Sequence, residues 1–380
     1  MKKILIIIPS IKKWGWAETV ATTIWNKLYD EWYKIMYLTF YNEKKEIEFK
    51  WEYKSLDEDI TNNILINFLK LFKRAKEISR YSKANDINIT ISHLDEANFS
   101  NILSKIFFWN KSKIIIEIHN SIEKSLSNIY LLIYKLIIKY SDKIISLTKE
   151  DLINYNKYFK INSKKIINIY NPIDLSKIKQ LNKKIITEQD IKNNIFTFIN
   201  IWRLNNQKNQ ILLIEAFLQF NLKFKDSRLL ILWEWPLEKQ LKNKARNNKN
   251  IIFLWRKDNP YSYLKKSDYL IMSSDYEWLP VVQIEALACN TPIISSNCKT
   301  WPKEIINLTN NSFNRENKIE IWDCWILYPN WDLNKLIKSM EIAYNNENNI
   351  KNIFIKKSKE KVKDFELINI IKLWKKIIEE

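Results

Sequence analysis

The chain is almost without glycine: one, Gly15, in 380 residues, where an ordinary globular chain carries about 7%. Glycine serves tight turns, positive φ and close approach of backbone to ligand. Its near absence excludes ordinary loop chemistry unless other residues stand in those places. Cysteine is scarce as well. Cys289, Cys298 and Cys324 are odd in number and have no C-x-x-C spacing, which argues against a disulfide framework or a zinc site and fits a reducing cytoplasm. No apolar run approaches the roughly 18 residues of a membrane span; the greasiest, Ile129–Tyr140, is interrupted by Lys135. Two lysines open the chain, but the apolar run Ile4–Ile8 ends at Pro9, short of the about 7–15 residues of a signal-peptide core. It reads as a buried first strand.

What the chain has instead of glycine is 16 tryptophans, and their positions are informative. They fall in Lys13-Trp14-Gly15-Trp16-Ala17, Ile201-Trp202-Arg203-Leu204, Trp233-Glu234-Trp235-Pro236, Glu277-Trp278-Leu279-Pro280 and Trp301-Pro302-Lys303-Glu304. With Gly for Trp these become GGGAE, IGRL, GEGP, EGLP and GPKE, each a plausible loop between a strand and a helix. UGA is read as glycine in some bacterial lineages and as tryptophan in others. A gene of the first kind translated by the second code gives this composition, and the Lys, Ile and Asn richness fits an AT-rich genome. Most of these tryptophans are therefore expected to be glycines in the organism; UGG codons at these positions would refute that. Trp51, Trp109 and Trp374 lie outside recognisable motifs and are the ones left open.

The net charge is +19, which points to an anionic partner such as nucleic acid, a phosphorylated ligand or an acidic membrane surface. A low-GC genome enriches lysine too, so this signal is discounted. Length suggests about two or three domains. Aliphatic runs at Lys3–Pro9, Lys34–Phe40, Ile87–Ile91, Lys113–Ile118 and Lys143–Leu147 read as buried strands. Glu18–Glu31, Asn98–Phe108 and Lys124–Tyr140 read as the helices between them. The pattern restarts with strands Phe196–Ile201, Arg228–Leu232, Ile251–Leu254, Tyr269–Met272 and Pro292–Ser295, and with helices Lys208–Phe220, Pro236–Asn247 and Val281–Cys289. Strand–helix alternation implies parallel sheets covered on both faces. Two such series predict two doubly wound α/β domains, with a boundary near Ile169–Asp174 at Pro172.

The most specific motif is Glu277-Trp278-Leu279-Pro280 followed by Val281–Ala288 and Asn290–Ile294. It sets Glu277 and Glu285 with seven residues between them. Both carboxylates fall at the carboxyl edge of an open sheet, where doubly wound folds bind ligands. A carboxylate there can accept from two adjacent hydroxyls. Arg203 and Lys208 follow the first strand of the second series, where two cations can neutralise a diphosphate. With Trp read as Gly, this region resembles family 4 of the glycosyltransferases, retaining enzymes of the GT-B fold. The resemblance extends to Ile201–Lys208, Leu232–Pro236, Trp301–Ile305, Cys324–Asp332, the Trp14–Glu18 loop and Asn171–Asp174.

The resemblance implies two Rossmann-like domains facing a central cleft. Residues 1–172 would be the acceptor domain, completed by the C-terminal helix of about 362–380, and residues 173–361 the nucleotide-sugar domain. It implies that Glu285 holds the nucleotide ribose, Glu277 the transferred sugar, and Arg203 and Lys208 the pyrophosphate, with Trp278, Leu279, Gly15 and Trp16 also lining the donor site. His119 ends a strand and is followed by Asn120; the family often has a His here, near the sugar O6 or the acceptor. His119 and Glu277 are thus the expected catalytic residues, and His93 and Asn120 the acceptor-side ones. Asp95 and Glu96 read as solvated or capping. No acidic triad suits a metal, so neither metal nor cofactor is expected beyond a UDP- or GDP-sugar substrate. The implied acceptor is a glycan or polyprenyl-diphosphate-linked saccharide.

Asn62–Lys83 carries Lys70, Lys73, Arg74, Lys76, Arg80 and Lys83 against Glu77 alone, beside a run of Ile, Leu and Phe. A basic amphipathic helix of this kind can lie on an anionic membrane, so peripheral contact with the inner face of the plasma membrane is an expectation, as is a cytoplasmic location. Three readings compete. A nucleotide-sugar epimerase shares the fold and would act without acceptor. A nucleic-acid binder would show salt-dependent affinity for arbitrary DNA; no nucleic acid is expected. A lectin-like surface would need the tryptophans to be genuine.

Overall fold

The structure, a computed structural model, describes residues 2–11, 16–41, 51–119, 128–184, 186, 195–201, 206–232, 237–254, 257–277, 280–298, 304–305, 317–322 and 325–380, with backbone alone at 16–17, 64, 128–130 and 347–351. Two compact units result: Met1–Pro172 with Leu367–Glu380, and Ile173–Glu366.

In the first unit, strands β1 (Lys3–Ile8), β2 (Lys34–Thr39), β3 (Glu52–Ser55), β4 (Ile89–His93), β5 (Lys113–Ile118), β6 (Lys143–Ser146) and β7 (Ile166–Asn168) form one sheet in the order β3-β2-β1-β4-β5-β6-β7. All are parallel, with Ile4 opposite both Ile35 and Ile89. A parallel sheet is covered on both faces, so its strands can be aliphatic without alternation; Ile4 to Ile8 are wholly buried. Helices α1 (Trp16–Asp30), α2 (Ile64–Ala84), α3 (Asp95–Phe108), α4 (Asn128–Tyr140) and α5 (Lys149–Phe159) connect the strands. The C-terminal helix Leu367–Glu379 returns to this unit and packs Trp374 edge-to-face on Trp25 at 5.0 Å. Asn63 and Thr148 cap α2 and α5 by accepting from backbone N–H groups of the first turn, as polar residues at that position do.

The second unit repeats the plan. Helix α6 (Leu175–Leu181) leads into β8 (Phe196–Ile201), and then come α7 (Gln210–Lys223), β9 (Ser227–Leu232), α8 (Glu238–Lys244), β10 (Ile251–Leu254), α9 (Tyr261–Lys266), β11 (Tyr269–Met272), α10 (Val281–Cys289), β12 (Ile293–Ser296), β13 (Glu320–Trp322) and β14 (Trp325–Tyr328). The sheet order is β10-β9-β8-β11-β12-β14-β13. The last strand departs from the all-parallel expectation: β13 runs antiparallel to β14 as an edge. It was invisible in the sequence because it is three residues long and half exposed. Two further differences have similar causes. The charged edge strand β3 lacks an aliphatic run, and the helix expected from Lys208 begins at Gln210, after a 3-10 turn over Asn206–Lys208.

Most of the described tryptophans fall into two groups; Trp322, on the edge strand β13, is 37% exposed and belongs to neither. Trp32, Trp109 and Trp331 have φ of 72°, 53° and 65° and are 84%, 74% and 64% exposed. Trp109 is the left-handed C-cap of α3, its N–H returning to the Ser104 carbonyl. These are conformations natural to glycine and costly to a residue with Cβ. Trp374 is buried, and Trp51 stacks on Tyr37 with ring centroids 4.2 Å apart. Trp325 opens β14, wholly buried, with an indole N–H that has no hydrogen-bond partner. Trp14, Trp202, Trp233, Trp235, Trp255, Trp278 and Trp301 lie outside the described residues.

Candidate active site

In the second unit, two of the expected donor-side residues, Lys208 and Glu277, meet beyond the carboxyl ends of β8 and β11. Lys208 closes the 3-10 turn after β8; Glu277 lies on the loop that follows β11. The Lys208 ammonium meets both oxygens of Glu277, at 2.9 and 2.8 Å, and both side chains are buried. The two loops are laced together. Gln207 Nε2 donates to the Tyr276 carbonyl at 2.8 Å, the Asp275 N–H to the Gln207 carbonyl at 2.9 Å, and Ser273 Oγ to the Lys208 carbonyl at 2.8 Å. Asn209, in the left-handed region at φ 46°, also donates to Asp275 at 2.9 Å. A buried ion pair loses hydration energy that only good geometry repays. Here the geometry is bidentate and the loops on both sides are tied.

Glu285 lies in the middle of α10, also buried. It accepts from Tyr261 Oη at 3.0 Å. Burial pushes its carboxyl up to about 7, and the tyrosine bond pulls the other way. The carboxylate beside it drives the Tyr261 hydroxyl well above its ordinary range. A buried carboxyl titrating near neutrality has the character of a functional group. Arg203, Trp278 and Leu279 lie outside the described residues.

In the first unit, the strand register sets His93 opposite Glu117, and His119 follows two residues later on the same face. His93 Nδ1 is 3.2 Å from one Glu117 oxygen, and His119 Nε2 is 3.1 Å from the other. His93 and Glu117 are fully buried; the His119 side chain keeps 10% of its surface. Burial alone would raise the Glu117 carboxyl, but the two histidines overcome it and hold the group well below the usual carboxylate range. His93, expected on the acceptor side, is enclosed, its Nε2 taken by the Trp25 indole N–H at 3.2 Å. It stands behind His119 rather than at an open surface. Gly15 and Asn120 lie outside the described residues, and Trp16 is placed by its backbone alone, at the start of α1.

Sequence reasoning missed Glu117 and Tyr261. The signal for the first was a lone carboxylate inside the aliphatic strand Lys113–Ile118; the second had none. Two other expectations need correction. Asp95 and Glu96 open α3 but are not simply solvated: Asp95 accepts from Tyr134, and Glu96 from Tyr41 and Arg74. Arg74 is not part of the solvated basic face of α2. It is buried and pairs with Glu58 at 2.6 Å and with Glu96, because an unpaired guanidinium could not be enclosed there. The outer face of α2 begins with exposed Leu65, Ile66, Phe68 and Leu69 and continues into exposed Lys73, Lys76 and Arg80. No described helix is long and apolar enough to cross a membrane.

The pattern of the glycosyl transferases group 1 family matches residues 182–322. An uncharacterised glycosyltransferase of Methanocaldococcus jannaschii is 31% identical over 95% of this chain and 97% of its own length. An α-1,4-N-acetyl-D-galactosaminyltransferase of Campylobacter jejuni, named for an undecaprenol diphosphate-linked substrate, is 24% identical over 100% of this chain and 99% of its own. Among solved structures, HepE of Anabaena in complex with UDP superposes with a TM-score of 0.77 at 14% identity, covering 99% of each chain. That likeness gives the fold, two parallel-sheet Rossmann-like units of the GT-B class. With a relative this similar over nearly its whole length, the chain belongs to the group 1 glycosyl transferases.

Proposed function

We propose that the protein transfers a hexose-type sugar, with retention at the anomeric carbon, from a UDP- or GDP-sugar to a glycan or polyprenyl-diphosphate-linked acceptor. The observation that carries the reading is the buried Lys208–Glu277 pair at the sheet edge, followed after seven residues by a carboxyl, Glu285, poised near neutrality. In this reading Glu285 takes the ribose hydroxyls and Glu277 the transferred sugar. Arg203 and Lys208 take the diphosphate, and Trp278, Leu279, Gly15 and Trp16 line the donor. His119 serves the sugar or acceptor side, with Asn120 beside it in sequence. The reaction is a front-face displacement: the bond from anomeric carbon to phosphate oxygen breaks as the acceptor oxygen attacks the same face, and the leaving phosphate takes the acceptor proton. The protein's part is to orient the two and to stabilise charge on the leaving group.

The lipid-linked substrate in the name of the C. jejuni relative supports an undecaprenol-type acceptor. The apolar and basic outer face of α2 supports peripheral contact with an anionic inner leaflet. The positive φ of Trp32, Trp109 and Trp331 supports glycine, encoded by UGA, at those positions. The deciding experiment is a donor screen for nucleotide release, using protein made with glycine at the UGA positions and a lipid-linked acceptor. Release that requires acceptor, with an α-linked product from an α-linked donor, is expected. Release without acceptor, or an epimerised sugar nucleotide, would move the assignment to an epimerase.

A further inference from the structure

The reading above uses His119 but leaves Glu117, His93 and Trp25 without a role. These four lie in line through the interior of the first unit: Trp25 Nε1 donates to His93 Nε2 at 3.2 Å, while His93 Nδ1 lies 3.2 Å from one Glu117 oxygen and His119 Nε2 3.1 Å from the other, ion-pair contacts in which neither nitrogen completes a hydrogen bond. A carboxylate presents only lone pairs, so a bare ring nitrogen facing Glu117 at these distances would be repelled. The ring nitrogens that face it therefore carry hydrogen. For His119 that atom is Nε2, which leaves Nδ1 as the free nitrogen. In the neutral ring, Nδ1 is an acceptor suited to a hydroxyl donor.

Ligand-type atoms of His93, Glu117 and His119 also lie within 4.8 Å of one another, a spacing that could hold a cation. The Trp25 bond argues against that use. An indole N–H can only donate, so His93 Nε2 is the bare nitrogen. Its proton then sits on Nδ1, the atom a metal would need unprotonated.

We propose that Glu117, backed by His93, is a positioning residue: it fixes the tautomer and orientation of His119 so that Nδ1 is the atom offered to a sugar hydroxyl. The proposal rests on the placement of His119 at the substrate, and its test separates the two. The chain has two histidines, so histidine-selective 15N labelling yields four ring nitrogens. In the full-length protein His119 should be protonated at Nε2 and His93 at Nδ1. Glu117→Gln offers one acceptor oxygen where the carboxylate offered two. It should release His119 into a mixture of tautomers and lower kcat about tenfold with KM for the donor little changed, as a misaligned group does. Trp25→Phe keeps an aromatic ring but removes the N–H, and it should loosen the His93 tautomer alone. Glu117→Asp, which keeps the charge but withdraws it by one methylene, should free the His119 tautomer in the same way and carries the test if Glu117→Gln fails to fold. His119→Gln should be at least as slow as Glu117→Gln. If His119→Gln turns over normally, the placement of His119 is wrong. If His119→Gln is slow while Glu117→Gln changes neither tautomer nor kcat, the positioning role is wrong. Stoichiometric zinc binding that is lost in Glu117→Gln would replace the relay with a metal site.

Discussion

The sharpest physical test concerns three tryptophans. Trp32, Trp109 and Trp331 are exposed and have φ of 72°, 53° and 65°. A Cβ in that region costs roughly 1–2 kcal/mol per residue. Substituting glycine removes this strain but adds about 0.4–1 kcal/mol of conformational freedom to the unfolded chain. The net expectation is a gain of about 1 kcal/mol at each site, because exposed indoles lose little burial. Two sites fall in the first unit and one in the second. Trp32→Gly with Trp109→Gly should therefore stabilise the first unit by about 2 kcal/mol, and Trp331→Gly the second by about 1; for units of this size a 1 kcal/mol change moves Tm by about 2–4 °C. Trp374→Gly should behave oppositely. Its indole is buried against Trp25, and emptying such a site costs about 3–5 kcal/mol. Chemical denaturation with probes in each unit measures both signs. Destabilisation by the three exposed substitutions would refute the argument that these positions are built for glycine.

Replacing Lys208 with methionine should cost about 3–5 kcal/mol, by stranding the buried Glu277 charge. Adding Glu277→Leu should recover much of that stability while nucleotide-sugar transfer stays abolished; recovered activity would remove the pair from the chemistry. Glu285→Ala and Arg203→Ala should each slow transfer about ten- to a hundredfold, the worth of one charge-assisted contact of roughly 1.5–3 kcal/mol. Wild-type turnover in both would put the donor elsewhere. The Glu285 carboxyl titrates at about 7 in the folded protein against an ordinary 4.5, so the folded form holds a proton that the unfolded chain releases. Stability should accordingly fall as pH rises between these values. Nucleotide affinity, which needs the ionised acceptor, should rise through about pH 7. Tyr261→Phe removes the bond that lowers this value and should move the affinity inflection upward in titration calorimetry. An inflection that stays put would mean that another group sets it.

Much of this was legible in the chain. The aliphatic runs of β1, β5, β8 and β11 need burial on both faces, and that requirement alone dictates parallel sheets of the doubly wound kind. The spacing of Glu277 and Glu285 around a turn fixed where to look in the second unit. The misfit of tryptophan to turn positions is visible in the sequence itself. Other features depend on contacts between residues far apart in sequence, which no local pattern carries. The edge strands β3 and β13 are short and polar, and only pairing with β2 and β14 makes them strands. Arg74 looked like one more surface cation until Glu58 and Glu96 closed over it. Trp109 and Trp374 were indistinguishable in sequence; the backbone separates them, one at an exposed left-handed turn and the other inside a core. His93, Glu117 and His119 became a unit only because adjacent parallel strands place residues 24 positions apart side by side. Register decides such contacts, and register is set by the packing of the whole sheet.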